Sequence, residues 1–196
     1  YGLSVEEAAY HAHVAEVEAG TGLGDVAAML YGRGLELRLA PGAPGLARVV
    51  SIPLSANLKL VTASLGSMST SEMHKVLADR LYSMTAPRIR RVFENASLEV
   101  FLEEARSFSV EAGFVDRSLA EKIDRIARRG SALGWYVKKK VLVVVSEEDR
   151  AEEVKAELEG LLPDARIFVG RPSASPLQVW EEQRGFHSLC GGGSCA

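Results

Sequence analysis

The stretch Leu133-Gly134-Trp135-Tyr136-Val137-Lys138-Lys139-Lys140-Val141-Leu142-Val143-Val144-Val145-Ser146-Glu147-Glu148 decides the class of fold. Two short runs rich in aromatic and β-branched residues, Leu133 to Val137 and Val141 to Val145, flank a lysine turn and read as a β-hairpin. Ser146 followed by two acids predicts a helix start: the hydroxyl satisfies a free amide of the opening turn, and Glu147 and Glu148 suit its positive end. Pro163 closes that helix, and Arg166-Ile167-Phe168-Val169 supplies another strand. Upstream, Leu58 to Ala63 reads as a strand. Ser69 to Arg129 is helical throughout, divided by Pro87, Asn95-Ala96-Ser97 and Gly113, with apolar stripes such as Leu98, Phe101, Leu102 and Ala105. The order strand, helices, hairpin, helix, strand describes an α+β sandwich of the ferredoxin-like kind.

Ahead of this unit, Ser4 and Glu7 form a capping box for a first helix, which Gly20 ends. Ala8, Ala9, Ala12 and Ala15 predict a thin face for close packing. Gly20-Thr21-Gly22-Leu23-Gly24-Asp25 is too rich in glycine for a regular element and leads into the apolar stretch Val26 to Leu30. Leu35 to Leu39 alternates as a strand, Pro41-Gly42-Ala43-Pro44-Gly45 turns, and Ala47 to Ile52 returns. The expected division is residues 1–57, residues 58–172, and a loosely ordered Pro/Ser/Gly-rich tail from 173 to 196.

The 196 residues carry 23 Lys and Arg against 26 Asp and Glu, for a net charge of -3, with 47% hydrophobic residues. That is globular composition with core enough to need no disulfide or metal staple. The acidic balance argues against a nucleic-acid or anionic-membrane coat; Arg88, Arg90, Arg91 and Arg125, Arg128, Arg129 read as solvated helix faces with acidic neighbours. Mean hydropathy of +0.04 and the lack of a long apolar run predict no membrane span. Cys190 and Cys195, with His187 nearby, fall short of a zinc set and fit free thiols in a reducing cytoplasm.

The chemistry-bearing stretch is His11-Ala12-His13-Val14-Ala15-Glu16 through Gly20-Thr21-Gly22-Leu23-Gly24-Asp25, closed by Tyr31-Gly32-Arg33-Gly34. His13 and Glu16 share a helix face. Two carboxylates separated by a flexible turn can converge, one on a divalent metal and the other on a hydroxyl. Equally, Asp25 can cap the following segment and Glu16 can be a solvated helix residue.

The stretch from His13 to Ala28, with Tyr31-Gly32, Arg38 and Pro41 to Gly45, resembles the middle of a GHMP-type small-molecule kinase, most closely its archaeal pantoate kinase branch. Leu65-Gly66-Ser67-Met68-Ser69-Thr70 and the helices after it resemble the C-terminal domain of that branch. The resemblance implies a GHMP-kinase-like fold: part of the N-terminal ATP and substrate domain followed by a ferredoxin-like C-terminal domain. It implies ATP and Mg²⁺ as cofactors and pantoate, phosphorylated on its 4-hydroxyl for coenzyme A synthesis, as substrate. Asp25 matches the residue that orients or deprotonates the acceptor hydroxyl, and Glu16 the magnesium carboxylate. Gly22 and Gly24 fall to cofactor binding. The carboxylate of pantoate calls for a cation or strong donor, for which His13 and Arg38 are the candidates; Arg38 can instead face solvent from its strand, and His11 lies on another helix face. A cytoplasmic enzyme and a homodimer are implied as well.

One departure is large. The glycine/serine loop with which GHMP kinases cradle ATP phosphates occurs nowhere in residues 1–196, and Gly130-Ser131-Ala132-Leu133-Gly134 is a degenerate match to the later glycine motif, as well read as a plain turn. The expectation is therefore that the loop lies upstream of Tyr1 and that these residues alone are inactive. Other GHMP acceptors (mevalonate, homoserine, shikimate) and a non-catalytic module are the alternatives.

Overall fold

The structure, a computed structural model, describes residues 2–22, 24–32, 34–173 and 175. The expectations for Cys190, Cys195 and nearly all of the tail lie outside the described residues.

Helix α1 (Val5–Ala19) begins where its capping chemistry places it: Glu7 N–H donates to Ser4 Oγ at 3.2 Å and Ser4 N–H to Glu7 Oε2 at 2.8 Å. Gly20, at φ 65°, takes the left-handed conformation that ends it. The alanine face is not a packing face. Ala8, Ala12 and Ala15 are exposed, and the buried residue of α1 is His13. The reason is that α1 packs mainly against one short neighbour, α2 (Asp25–Tyr31). Strands β1 (Leu35–Arg38) and β2 (Val49–Ile52) pair antiparallel, with Leu37 opposite Val50 and Arg38 opposite Val49. Alternation sends Leu37 inward, where with Ile52 it packs on Val92, flanked by Val100 and Phe101. The intervening turn is tied to the end of α2 by Gly45 N–H donating to Tyr31 Oη at 2.8 Å.

The second sheet is four-stranded: β3 (Leu58–Ser64), β4 (Gly134–Lys138), β5 (Val141–Glu147) and β6 (Ile167–Gly170). Its order is β4-β5-β3-β6 and every pairing is antiparallel, so the two outer strands flank a hydrogen-bonded centre in the ferredoxin-like manner. Helices α3 (Thr70–Leu77), α4 (Arg80–Asn95), α5 (Leu98–Glu111) and α6 (Arg117–Arg128) connect β3 to β4, and α7 (Ala151–Leu161) connects β5 to β6. Val61, Ala63, Leu142 and Val144 meet Leu77, Ile123, Val154 and Leu158 in the main core, while Val145 turns to the opposite face against Leu58 and Leu102. The edge of β4 is blunted from α5, where Ser109 Oγ accepts Val137 N–H at 2.8 Å. Buried Trp135 donates its indole N–H to Asp124 at 2.9 Å, and Arg106 Nε donates to the same oxygen at 2.7 Å. Burial opposes the charge on Asp124, yet the hydrogen bonds from Arg106 and Trp135 hold its carboxyl below its usual value.

Two further local expectations are corrected. Pro87 does not divide the helices but lies within α4; it and Ser83, whose carbonyl loses its donor, are both exposed, so water can replace the missing bond. The break falls instead at Ala78, φ 38°. Ser146 caps nothing: it continues β5 opposite Lys59, fully buried, and a 3₁₀ turn at Glu148–Arg150 precedes α7. Ladder pairing outweighs a local capping preference. Arg88 and Arg91 pair with Glu104, and Arg129 with Glu157. Among the described residues no helix is long and apolar enough to cross a membrane.

Candidate active site

The glycine turn collects the site residues because the chain reverses there between two helices. Beyond Gly20, Thr21 N–H still donates to Glu16 O at 3.0 Å, which curls the chain back along the last turn of α1. Gly22 is buried against the Glu16 carboxylate: a Cβ on residue 22 would lie 2.7 Å from Glu16 Oε2, so a side chain there would push the carboxylate from its place. That Oε2 is buried and has no hydrogen-bond partner. One helical turn earlier on the same face, His13 is 7% exposed, and its Nδ1 is likewise buried without a partner. Buried polar atoms are nearly always paired, so two unpaired ones on one face of α1 are exceptions to that rule.

Gly24 caps the start of α2, and the Arg38 guanidinium lies beside it, 3.4 Å from where a Cβ would stand, an ordinary contact distance. Asp25 is the first residue of α2, where a carboxylate meets the positive end of the helix. It is exposed, and its Oδ1 accepts from Lys138 Nζ at 3.1 Å. Glu16 thus lies against Gly22 and Arg38 against Gly24, with Asp25 the next residue in the chain. His11 is exposed and makes an edge-to-face contact with Tyr10, ring centroids 5.4 Å apart.

Gly130 to Gly134 does not join them. It lies at the end of β4 away from Lys138, where Gly130 takes φ 83° with its N–H on Ala127 O, buried Ser131 donates to Glu153, and Gly134 sits tight against Leu102. This is a plain turn into the hairpin. A separate cleft of about 790 Å³, between the end of β3 and the Leu161–Arg166 loop, contains none of the candidate residues.

Three residues at the turn carry no sequence signal linking them to it. Lys138 comes from the β4–β5 hairpin, as does Lys139, whose Nζ donates to Thr70 Oγ1 at 2.8 Å; Thr70 in turn donates to Thr21 O at 2.6 Å. The only hint was topological: the Ser69 capping box starts α3 directly after β3 and so fixes Thr70 at that end of the sheet.

Among the described residues no group of three or more His, Cys, Asp or Glu could enclose a metal. A lone carboxylate oxygen such as Glu16 Oε2 would suit only an ion that takes most of its shell from phosphates and water, as Mg²⁺ does.

The chain matches no protein-family model. It is 30% identical over 173 residues to the pantoate kinase of Thermococcus kodakarensis, covering 84% of this chain and 56% of that protein. It is 28% identical over 110 residues to the pantoate kinase of Methanocaldococcus jannaschii, covering 55% of this chain and 40% of that protein. The chain therefore spans about half the length of the curated relatives it matches. Among solved structures, a phosphotransferase related to the CoA biosynthesis pathway superposes with a TM-score of 0.74 at 22% identity, over 90% of this chain and 57% of its own. Homoserine kinase from Cytophaga hutchinsonii gives 0.59 at 15% identity (88% and 60% covered), and a mevalonate kinase 0.58 at 14% (86% and 57%). In sequence the chain is similar to the pantoate kinases, and its α+β fold is that of the homoserine and mevalonate kinase structures it superposes on.

Proposed function

We propose that this chain supplies the acceptor and metal side of an ATP-dependent kinase that phosphorylates the 4-hydroxyl of pantoate. The observation that carries this reading is the turn itself: a buried, unpartnered carboxylate oxygen of Glu16 against Gly22, with Asp25 opening the next helix two residues beyond Leu23. The matched pantoate kinases favour pantoate over other acceptors.

In this reading Asp25 takes the proton of the acceptor hydroxyl as that oxygen attacks phosphorus. Its exposed position at the start of α2 leaves it open to substrate. Glu16 would hold a magnesium ion, which would supply charge neutralisation for the ATP phosphates. Arg38, whose guanidinium lies beside Gly24, and His13 take the carboxylate of pantoate; an arginine fork suits a planar carboxylate. Gly22 and Gly24 let backbone and phosphates approach. Phosphoryl transfer asks a protein chiefly for positioning and charge neutralisation, and these residues are of the types that do so. Because no phosphate-cradling glycine/serine loop occurs in residues 1–196, the activity is proposed for the product of the full open reading frame that encodes them.

The test is to express that full-length protein and offer it Mg-ATP with pantoate, mevalonate, homoserine or shikimate, reading products by ³¹P NMR. Phosphopantoate alone is the expected product. Transfer to a different acceptor would replace the substrate, and no transfer to any of them would overturn the kinase reading.

A further inference from the structure

The tip of the β4–β5 hairpin lies over the glycine turn and is tethered there. Thr70, 7% exposed, donates its hydroxyl proton to Thr21 O and receives Lys139 Nζ. Lys139 holds φ 57°, a left-handed conformation that side-chain-bearing residues rarely adopt and that persists where the surroundings enforce it. With Lys139 committed to Thr70, the preceding residue is directed at Asp25, 113 positions away in the chain, and Lys138 Nζ meets Asp25 Oδ1 at 3.1 Å.

This pair is open on both sides, with side chains 62% and 60% exposed. An ion pair so exposed contributes little to folding, so structural cement does not account for it. What the geometry provides is a hydrated point charge on a flexible stem, held within reach of the candidate base and facing solvent at the mouth of the site.

We infer that Lys138 is a further residue of the site: a displaceable counter-ion that turns from Asp25 to a substrate oxyanion, either the carboxylate of the acceptor or the phosphoryl group in transit. The inference rests on the kinase reading above. The ammonium has three donors, so one can stay on Asp25 while another takes the incoming oxygen. The bond from phosphorus to the ADP oxygen breaks as the bond to the acceptor oxygen forms, and the acceptor proton passes to Asp25.

The test compares Lys138→Met, Lys138→Arg and, as a control, Lys140→Met in the full-length protein. The acceptors are pantoate and its neutral analogue 3,3-dimethylbutane-1,2,4-triol, in which CH₂OH replaces the carboxylate. Lys138→Met is expected to lose about 10- to 100-fold in kcat/KM, the scale of one hydrogen bond to a charged group, with an unchanged Tm. Lys138→Arg keeps most of the activity, and Lys140→Met keeps all of it. A loss in KM for pantoate that vanishes with the triol assigns Lys138 to the carboxylate; a loss in kcat that persists with the triol assigns it to the phosphoryl group. Kinetics within twofold of wild type on both acceptors would overturn the inference, as would a loss shared by Lys138→Arg and accompanied by a fall in Tm. If Lys138→Met is silent while Asp25→Asn is inactive, this inference alone fails. A wild type that transfers phosphate to no acceptor removes the reading and the inference together.

Discussion

The four-stranded sandwich and the glycine turn treat buried polar atoms in opposite ways. In the sandwich, Ser109 serves the edge of β4, Ser131 binds Glu153, and Asp124 takes both Trp135 and Arg106. Apart from Ser146 Oγ and the Arg88 Nε, which faces Glu104 at 3.6 Å, its buried polar side chains are satisfied. At the turn, His13 Nδ1 and Glu16 Oε2 are buried without partners, and α1 exposes Val5, Tyr10 and Val17. The first arrangement is what stability asks for. The second leaves two desolvated groups without partners. Under the proposed function, stability and chemistry are housed in different parts of the chain, joined where Lys138 and Lys139 reach across.

That division makes mutations separable. Asp25→Asn in the full-length protein is expected to lower kcat by ~10²–10⁴-fold, the usual worth of general acid–base help, and to leave Tm unchanged because the side chain is exposed. Near-normal turnover would remove Asp25 from the chemistry. Trp135→Ala does the reverse: it empties the core and strips Asp124 of a donor, costing about 3–5 kcal/mol in chemical denaturation while leaving the turn untouched. If it were silent in denaturation but abolished transfer, the comparison would collapse. Gly22→Ala presses a Cβ on Glu16 Oε2 at 2.7 Å and should raise the Mg²⁺ concentration for half-maximal activity by roughly tenfold, about 1.4 kcal/mol, with little change in Tm. An unchanged Mg²⁺ dependence would detach Glu16 from the metal.

The smallest effect concerns acid. Asp124 is held below its ordinary value of 3.8 in the folded state, so its contribution to stability is fully present above that value and is lost as pH falls below it. Asp124→Asn should flatten the acid limb of a Tm-against-pH curve below about pH 4. A curve parallel to wild type would show that the carboxylate is not what Arg106 and Trp135 stabilise.

Much of this was legible in the chain. The Ser4 and Glu7 pair, Gly20, the hairpin strands and the glycine turn are local signals, each satisfied within a few residues. Misreadings arose where tertiary pairing overrode local preference. Ser146 has a good capping side chain, but β3 offers it a ladder partner in Lys59. Pro87 survives in a helix because its lost bond faces water. The alanines of α1 look like a packing face, and among the described residues little packs there. Lys138 and Thr70 were invisible as site residues, since nothing in a single sequence ties position 138 to 25 or 70 to 21.

The central claim is that the glycine turn is where metal and acceptor meet. It is tested most directly by a crystal structure of the full-length protein with Mn²⁺, a non-hydrolysable ATP analogue and pantoate, locating the metal by anomalous scattering. The account predicts the metal on Glu16 and the 4-hydroxyl of pantoate within hydrogen-bond reach of Asp25. A metal held elsewhere, or a hydroxyl turned away from Asp25, would contradict it.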